Sequence, residues 1–539
     1  MTGKRGPGRR RAAGRAERRP ARPQAAGREG DRPATRARRP GRLRAAGREA
    51  FLVLLAGAAA GLAAAGAARR ARAPTRRAAA ARRPATGQPD RARELPNTAA
   101  APQNPAPGPR SAGAVLSRLL SYPPPGPFRP STWRSPLRGL WLTSVLGLVL
   151  LGGLAVVAIT GLLSYASYNP RLPGNDQTPG GQLLKFYLFS WPTDPAWLYR
   201  VNQGLHVTLG LALLPVVLTK LWSVLPKLFS WPPVRSPAQA VERLSLVMIV
   251  GGVLFEFATG IADIQNFYVF PFSFYTAHLY GAWVFIAGFV THVILKFPHL
   301  RAGLRSRSLR RELRTPLSAT RPETPDPAGL RAAAPAAPTI SRRGLLAAVT
   351  GGSLTLAGLA AGQSIGGWTR RTALFAPRGL SAAQSGELPV NRTAATIGLT
   401  DADVGPAYRL VLVGSRQVSL TRDQVAALPQ QSAVLPIACV EGWSVAARWS
   451  GVALTDLARL AGVNYPVGAL VESIERKGSF RTADLSAAQV NDPRSMLALR
   501  VNGADLPRDH GYPARTVIPA APGVHNTKWV NKITFTEQA

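Results

Sequence analysis

Four long apolar runs follow one another at 137–165, 201–225, 244–264 and 274–297, and they constrain this chain more than any other feature. Each is near or above the ~20 residues with which an α-helix spans a bilayer. Core helices of soluble proteins are seldom so uniformly apolar over that length, so the pattern predicts an all-α transmembrane helix bundle. Basic residues orient it by the positive-inside rule. Arg129, Arg134 and Arg138 precede the first run, Lys220, Lys227, Arg235 and Arg243 flank the second-to-third connection, and RAGLRSRSLRRELR follows the fourth. These segments are expected on the cytoplasmic side. The connection 166–200 carries few charges and several Trp, Tyr and Pro residues, as suits an outer interfacial loop.

A Pro/Ala linker at 315–339 leads into SRRGLLAAVTGGSLTLAGLAAG. Ser341-Arg342-Arg343 before a weakly apolar stretch resembles a twin-arginine (Tat) export signal placed internally. Read more plainly, it is a fifth helix with arginines on the cytoplasmic side, and the topology is the same either way. Everything after about Gly366 is then expected outside the cytoplasm of a bacterium, with the plasma membrane crossed several times. The expected division is a disordered segment at 1–135, a four-helix bundle at 136–300, a cytoplasmic basic and Pro/Ala linker at 301–340, the fifth helix at 341–366 and an extracytoplasmic domain at 367–539.

Lysine and arginine total 67 against 27 acids, a formal net charge of +40. That surplus alone would suit nucleic acid or an anionic membrane surface. Its position argues otherwise: 30 of the 67 basic residues precede Pro136, in a tract of Arg, Ala, Pro and Gly. Such a tract cannot bury enough apolar surface to offset its chain entropy, so it is expected to be a disordered, cytoplasmic N-terminus. It lacks the interleaved aromatics of a single-strand binder, and no nucleic-acid partner is expected. Residues 51–68 are long enough to cross a bilayer but are mostly Ala and Gly with arginines at both ends, so they are left out of the bundle.

Three of the six histidines, His206, His278 and His292, lie within the apolar runs, where ionisable side chains are costly and mark candidate functional positions. His206 and His278 both sit a few residues inside the outer ends of their helices and can face each other, the arrangement a bis-imidazole b-type haem needs. His292 is fourteen residues beyond His278, nearly four turns on the same face and ~21 Å deeper. That spacing resembles membrane cytochromes b, which stack two haems along one helix pair. The resemblance fails at the second site, where the position fourteen past His206 is Lys220 and the soft residue at comparable depth is Met248. One outer haem is therefore expected. The alternative is that these histidines only hydrogen-bond between helices.

From Pro389 the sequence turns to short strands and turns, with YRLVLVG, AVLPIACV, MLALRVNG and WVNKITFTE as strand candidates and Asn502-Gly503 as a hairpin signal. Cys439 is the one cysteine of the chain. Outside the cytoplasm cysteines usually form disulfides, and a lone one cannot form an internal bridge. In order, LTRDQVAALP, ACVEGWSV, ARWSGVALTDLARLAGV, LALRVNGADLPRDHGYPARTVIP and GVHNTKWVNKITF resemble the molybdenum-cofactor domain of the sulfite oxidase superfamily, over about 391–535. The resemblance implies an α+β, mostly β, fold and a molybdopterin cofactor.

By that resemblance Cys439 is the protein ligand of molybdenum, a role for which a soft thiolate is chemically suited. His510 and Arg515 in HGYPAR occupy positions that contact the pterin and its phosphate in similar proteins, and Lys528 in KWV supplies a charge or donor. Asp456 can accept from pterin N–H groups, and Asn391 with Arg392 is within reach. Sulfite oxidases follow the ligand cysteine with an arginine-bearing stretch, where this chain has Val440-Glu441-Gly442-Trp443. That departure leaves open a neutral, sulfoxide-type or other small-molecule substrate. It makes Glu441 either a proton shuttle or a turn carboxylate. Arg448, Arg476 and Arg481 are candidates for an anionic pocket. The expected function is oxygen-atom transfer at a membrane-anchored molybdopterin oxidoreductase, exchanging electrons through the haem with a quinone or a cytochrome. The rival is a degenerate domain serving as sensor or scaffold.

Overall fold

The structure, a computed structural model, describes residues 122–175, 189–234, 236–268, 270–325, 329–385, 387–478 and 480–537. The basic tract up to 121, with its apolar run at 51–68, lies outside the described residues. Residues 122–135, assigned above to the disordered segment, are ordered: Trp133 stacks on Phe229 with ring centroids 6.0 Å apart, and Arg138 lies over the Trp133 ring. Aromatic packing supplies there the burial that the Arg/Ala/Pro composition lacks.

Five helices are long and apolar enough to cross a membrane: α1 Leu140–Ser167, α2 Leu198–Leu228, α3 Pro237–Ile264, α4 Phe274–Ser306 and α5 Arg342–Ile365. In hydrocarbon every backbone polar group must find its partner within the segment, which favours the helix for such runs. Side-chain caps define several starts. Ser236 accepts from Gln239 N with Pro237 at the first helical position, Ser273 accepts from Thr276 N, and Ser341 accepts from Gly344 N. Neighbouring helices run antiparallel, as His206 meets Val157, Lys220 meets Thr143, Glu242 meets Lys296 and Ser364 meets Gly204. Small residues let α3 and α4 approach closely: a Cβ on Gly252 would lie 2.9 Å from Phe285 Cβ, and one on Gly288 2.9 Å from Met248 Cβ.

The linker expected at 301–340 begins inside α4 and then straps the bundle end. Glu323 caps α1 by accepting from Trp141 N at 2.8 Å and Leu142 N at 3.3 Å. Arg342, half of the twin-arginine pair, is 1% exposed and lies 3.5 Å from Glu312 and 4.0 Å from Glu323. Arg343 is exposed.

Beyond α5 the chain builds two five-stranded sheets. One has the order β2 (Gln417–Leu420), β1 (Leu410–Val413), β10 (Val530–Glu537), β5 (Pro466–Ser473), β6 (Thr482–Ser486). The other runs β3 (Gln431–Ala438), β4 (Ser444–Ala453), β7 (Met496–Val501), β8 (Ala504–Asp505), with β9 (Arg515–Val517) also on β7. Period-2 alternation divides β7 between two cores. Leu497 and Leu499 join Leu410, Val471 and Ile533 of the first sheet, whereas Met496 and Ala498 join Cys439, Trp443 and Trp449. The Asn502-Gly503 turn has positive φ at both residues, as the hairpin signal requires.

The domain rests on the bundle end that carries the 166–200 connection. Trp191 Nε1 donates to Ala520 O at 2.8 Å, and Asn175 Nδ2 donates to Asp484 O at 2.7 Å.

Arg342→Met would leave the buried Glu323 carboxylate without its cation and Glu312 with Arg307 alone, and should lower stability by about 3 kcal/mol. Arg343→Met should change it by less than about 0.5 kcal/mol. Thermal unfolding of the detergent-solubilised protein measures both.

Candidate functional site

Strand β3 is an edge strand, exposed at its start and buried at its end, whose last residue, Ala438, delivers Cys439 into a tight loop. Cys439 N donates to Trp443 O at 2.9 Å, and Gly442 N donates back to Cys439 O at 3.0 Å. Closing so short a loop puts Gly442 at φ +91°, where only glycine sits without strain. Space adds a second demand: a Cβ there would lie 3.0 Å from Val207 Cβ on α2 and 3.1 Å from Gln363 Nε2 on α5.

Side chains of α2, of α5 and of the turn after α5 hold this loop by its carbonyls. Gln203 Nε2 donates to Val440 O at 2.6 Å, Gln363 Nε2 to Glu441 O at 3.2 Å, Ser364 Oγ to Gly442 O at 2.5 Å and Arg370 Nη2 to Ser444 O at 2.8 Å. Gln203 is itself fixed by Ser164 Oγ, which donates to its Oε1 at 2.7 Å. The Glu441 carboxylate pairs with Arg378 and accepts from Trp443 Nε1 at 3.1 Å. It does not line the cavity beside Cys439, so of the two roles expected for it the turn carboxylate matches its contacts and the proton shuttle does not.

That cavity has Cys439, Trp443 and Trp449 on one side and His510, Arg515 and Lys528 on the other, with Asn391 and Arg392 also lining it. Arg515 is 3% exposed, and its Nη1 and Nη2 donate to His510 O at 3.0 Å and Asn526 O at 2.9 Å. Its Nε is buried without an acceptor, and among the described residues no carboxylate pairs with it. Burial pulls its guanidinium down to about 9. Lys528 Nζ donates to Arg392 O and Asp509 O, both at 2.8 Å, and burial with the nearby Arg515 charge lowers it to about 7. The same causes lower His510 to about 4, so it is neutral at pH 7. Burial pushes the Cys439 thiol up to about 12. Such a thiol stays protonated unless a metal's charge displaces the proton. The donor set therefore suits an anionic, hydrogen-bonding ligand beside a sulfur.

Asp456 is not brought here. It lies in the helix Leu454–Leu460, half-exposed, 2.7 Å from Arg459 on the next turn, because the strand before it turns away from the cysteine edge. Arg448, Arg476 and Arg481 do not line the cavity either. His525, within the same GVHNTKW motif as Lys528, was not singled out from sequence. It is 1% exposed, its Nδ1 lacks a partner, and its ring packs edge-on against Tyr168 at 5.4 Å.

Tyr168 also lines a second cavity, inside the bundle, between His206 and His278. Their ring centroids are 6.4 Å apart at an interplanar angle of 82°. The Nδ1 of His206 faces Val157 O at 3.0 Å and Thr160 Oγ1 at 3.2 Å, and that of His278 faces Thr259 Oγ1 at 3.0 Å and Glu256 Oε2 at 3.1 Å. Engaging Nδ1 leaves Nε2 as the nitrogen for a metal. Two metal–nitrogen bonds of about 2 Å, with half a ring on either side, span roughly 6 Å, so the pair is spaced for one shared ion. Val440, the residue after Cys439, lines this cavity too. One peptide step thus links the two sites.

A family model described as oxidoreductase molybdopterin binding domain matches residues 399–539. The uncharacterized oxidoreductase YuiH of Bacillus subtilis is 31% identical over 166 residues, covering 29% of this chain and 82% of YuiH. The putative protein-methionine-sulfoxide reductase subunit YedZ1 of Azospira oryzae is 31% identical over 137 residues, 24% of this chain and 49% of that protein. Mitochondrial sulfite oxidase of Mus musculus is 28% identical over 155 residues, 23% of this chain and 28% of that enzyme. The chain thus spans about half the length of YedZ1 and just over a quarter of sulfite oxidase.

Gly442→Ala adds a left-handed backbone cost of about 1–2 kcal/mol, together with a contact that α2 and α5 must yield to. It should lower the unfolding temperature and loosen the loop, seen as faster amide exchange at 440–444. Lys528, at about 7 when folded, has an ordinary value of 10.5. Between those values the unfolded chain binds more protons, so the cofactor-free chain should gain stability as pH rises from about 7 towards 10. Thermal unfolding across that range should show the rise, and Lys528→Met should flatten it.

Proposed function

Because this chain belongs to the molybdopterin-binding oxidoreductases, we propose that it is a membrane-anchored enzyme transferring an oxygen atom to or from a sulfur compound outside the cytoplasm. The observation that carries this reading is the convergence of Cys439, the unpaired Arg515 guanidinium and Lys528 on one cavity. Molybdopterin bound there would supply a molybdenum centre that accepts or donates an oxygen atom with two electrons. Cys439 is the protein sulfur that holds the metal. Arg515 and Lys528 answer the anionic tail of the pterin, whose oxygens complete donors that protein carbonyls only partly satisfy. Neutral His510 exchanges hydrogen bonds with the pterin edge, Asn391 and Arg392 approach from the 388–392 segment, and Trp443 and Trp449 keep water from the sulfur. Asp456 has no part.

His206 and His278 would hold a b-type haem, which would supply one-electron transfer to or from the domain. The Nδ1 contacts, the ring spacing and the Val440 wall between the two sites support this. Beyond the haem lies a quinone or a cytochrome as exchange partner. The extracytoplasmic side is supported by the arginine- and lysine-bearing segments at the opposite end of the bundle. The names of two relatives, a sulfite oxidase and a putative protein-methionine-sulfoxide reductase subunit, frame the substrate class as sulfur oxo-acids or sulfoxides.

Purified full-length protein should contain close to one molybdenum per chain. It should turn over sulfite with an artificial acceptor or methionine sulfoxide with an artificial donor. Cys439→Ser should cut turnover by roughly 100-fold or more while the protein remains folded. His206→Ala should abolish the b-type absorption band and spare dye-linked turnover. Metal-free protein from cofactor-replete cells, inert on both substrates, would favour the sensor or scaffold reading instead.

A further inference from the structure

Deeper in the bundle, towards the end opposite the domain, α1 to α4 enclose another cavity. Its walls are mostly apolar, and the polar groups that line it are Lys220 and Lys227 on α2, Glu242 on α3, His292, Lys296 and His299 on α4, and Thr143 and Ser144 on α1. Glu242 Oε1 lies 2.6 Å from Lys296 Nζ and 3.3 Å from Lys227 Nζ, while Lys220 Nζ donates to Thr143 O at 2.5 Å. The Nδ1 of His292 is buried without a hydrogen-bond partner. Three lysines against one carboxylate leave a cationic surplus in apolar surroundings, where such groups are costly unless something answers them.

The position of this cavity matters as much as its lining. Leu154, Val253 and Phe285 line both it and the cavity between His206 and His278. A ligand lying against these side chains is one layer from that site. A second bis-histidine haem is not provided for, since Lys220 stands where a partner for His292 would be and Met248 does not line the cavity.

We propose that this inner cavity binds an isoprenoid quinone. Its carbonyl oxygens accept from Lys220 and from the His292–Lys296 side, and its ring lies on the Leu154–Val253–Phe285 wall. An anionic lipid head would also answer the lysines, but it would draw nothing from a wall shared with a redox site. A quinone uses all three features: apolar body, donors for two oxygens and closeness to an electron carrier. The proposal rests on the haem reading above. Reduction of bound quinone to quinol takes two electrons, which a haem held by His206 and His278 would pass singly from a sulfur compound oxidised at the domain. It also takes two protons, drawn from the basic end of the bundle through Glu242 and its lysines. In reverse, quinol yields the same electrons and protons for reduction of a sulfoxide.

The test uses full-length protein in nanodiscs and a radiolabelled short-chain azido-quinone. Light should attach it to peptides within 140–154, 217–228 or 285–297. Lys220→Met and His292→Leu should each reduce labelling about tenfold, as loss of a buried hydrogen bond to a ligand would. In the same variants, oxidation of the reduced b-type band by short-chain quinone should slow by a similar factor, with the band and dye-linked turnover unchanged. Leu150→Trp should block labelling by filling the cavity; if it does not fold, the two polar variants decide. Labelling that maps elsewhere, is unchanged in both polar variants, or is lost on replacing zwitterionic with anionic lipid would overturn the proposal. The last outcome would assign the cavity to lipid. A missing b-type band in the wild-type protein would overturn the haem reading, while the labelling pattern would still judge the cavity.

Discussion

Four carbonyls of the loop after Cys439, those of Val440, Glu441, Gly442 and Ser444, are taken up by side chains of the helix bundle and the turn that follows it. Much of the arrangement follows from this grip. It sets the orientation of the only thiol in the chain, brings Val440 to the wall of the histidine cavity and turns the Glu441 carboxylate towards Arg378. The Val-Glu-Gly-Trp sequence reads differently once this is seen. Its acid and indole satisfy each other, its glycine makes room for α2 and α5, and its backbone is the contact surface.

Buried cations in this protein divide by how they are answered. Arg342 meets Glu312 and Glu323, and with them ties the strap to the bundle. Among the described residues Arg515 meets carbonyl oxygens and the face of Trp449, 5.2 Å away, and no carboxylate. Carbonyls orient a guanidinium but do not neutralise it, so Arg515 and Lys528 remain suited to a negative guest. The same residue type is thus a structural tie at one end of the molecule and a buried cation without a carboxylate partner among the described residues at the other.

The helices were legible from composition alone, because a run of twenty apolar residues has few other fates; α3 begins seven residues before its expected run and α4 ends nine residues beyond its own, where more polar residues remain helical. Asn502-Gly503 announced its hairpin, and the motif carrying Arg515 and Lys528 announced a shared cavity. Asp456 did not belong to it, since a motif in register says nothing of which face of a helix a side chain takes. Glu441 was ambiguous for want of Arg378, 63 residues upstream. Contacts such as Gln203 to Val440 join residues 237 apart and carry no local signature. His525 was hidden for the opposite reason: its motif was plain, but its neighbour Tyr168 lies in another part of the chain.

Hydrogen bonds to backbone oxygens make only part of this interface, which also has an apolar seam of Ala166, Trp191, Tyr199 and Ala438. The covalent link adds to both. Helix α5 ends at Ile365 and the domain's first contacts with the bundle follow within a few residues, so the two surfaces meet at a local concentration of about millimolar or more. Docking then needs few contacts beyond the link itself, and each domain stays with the bundle to which it is joined.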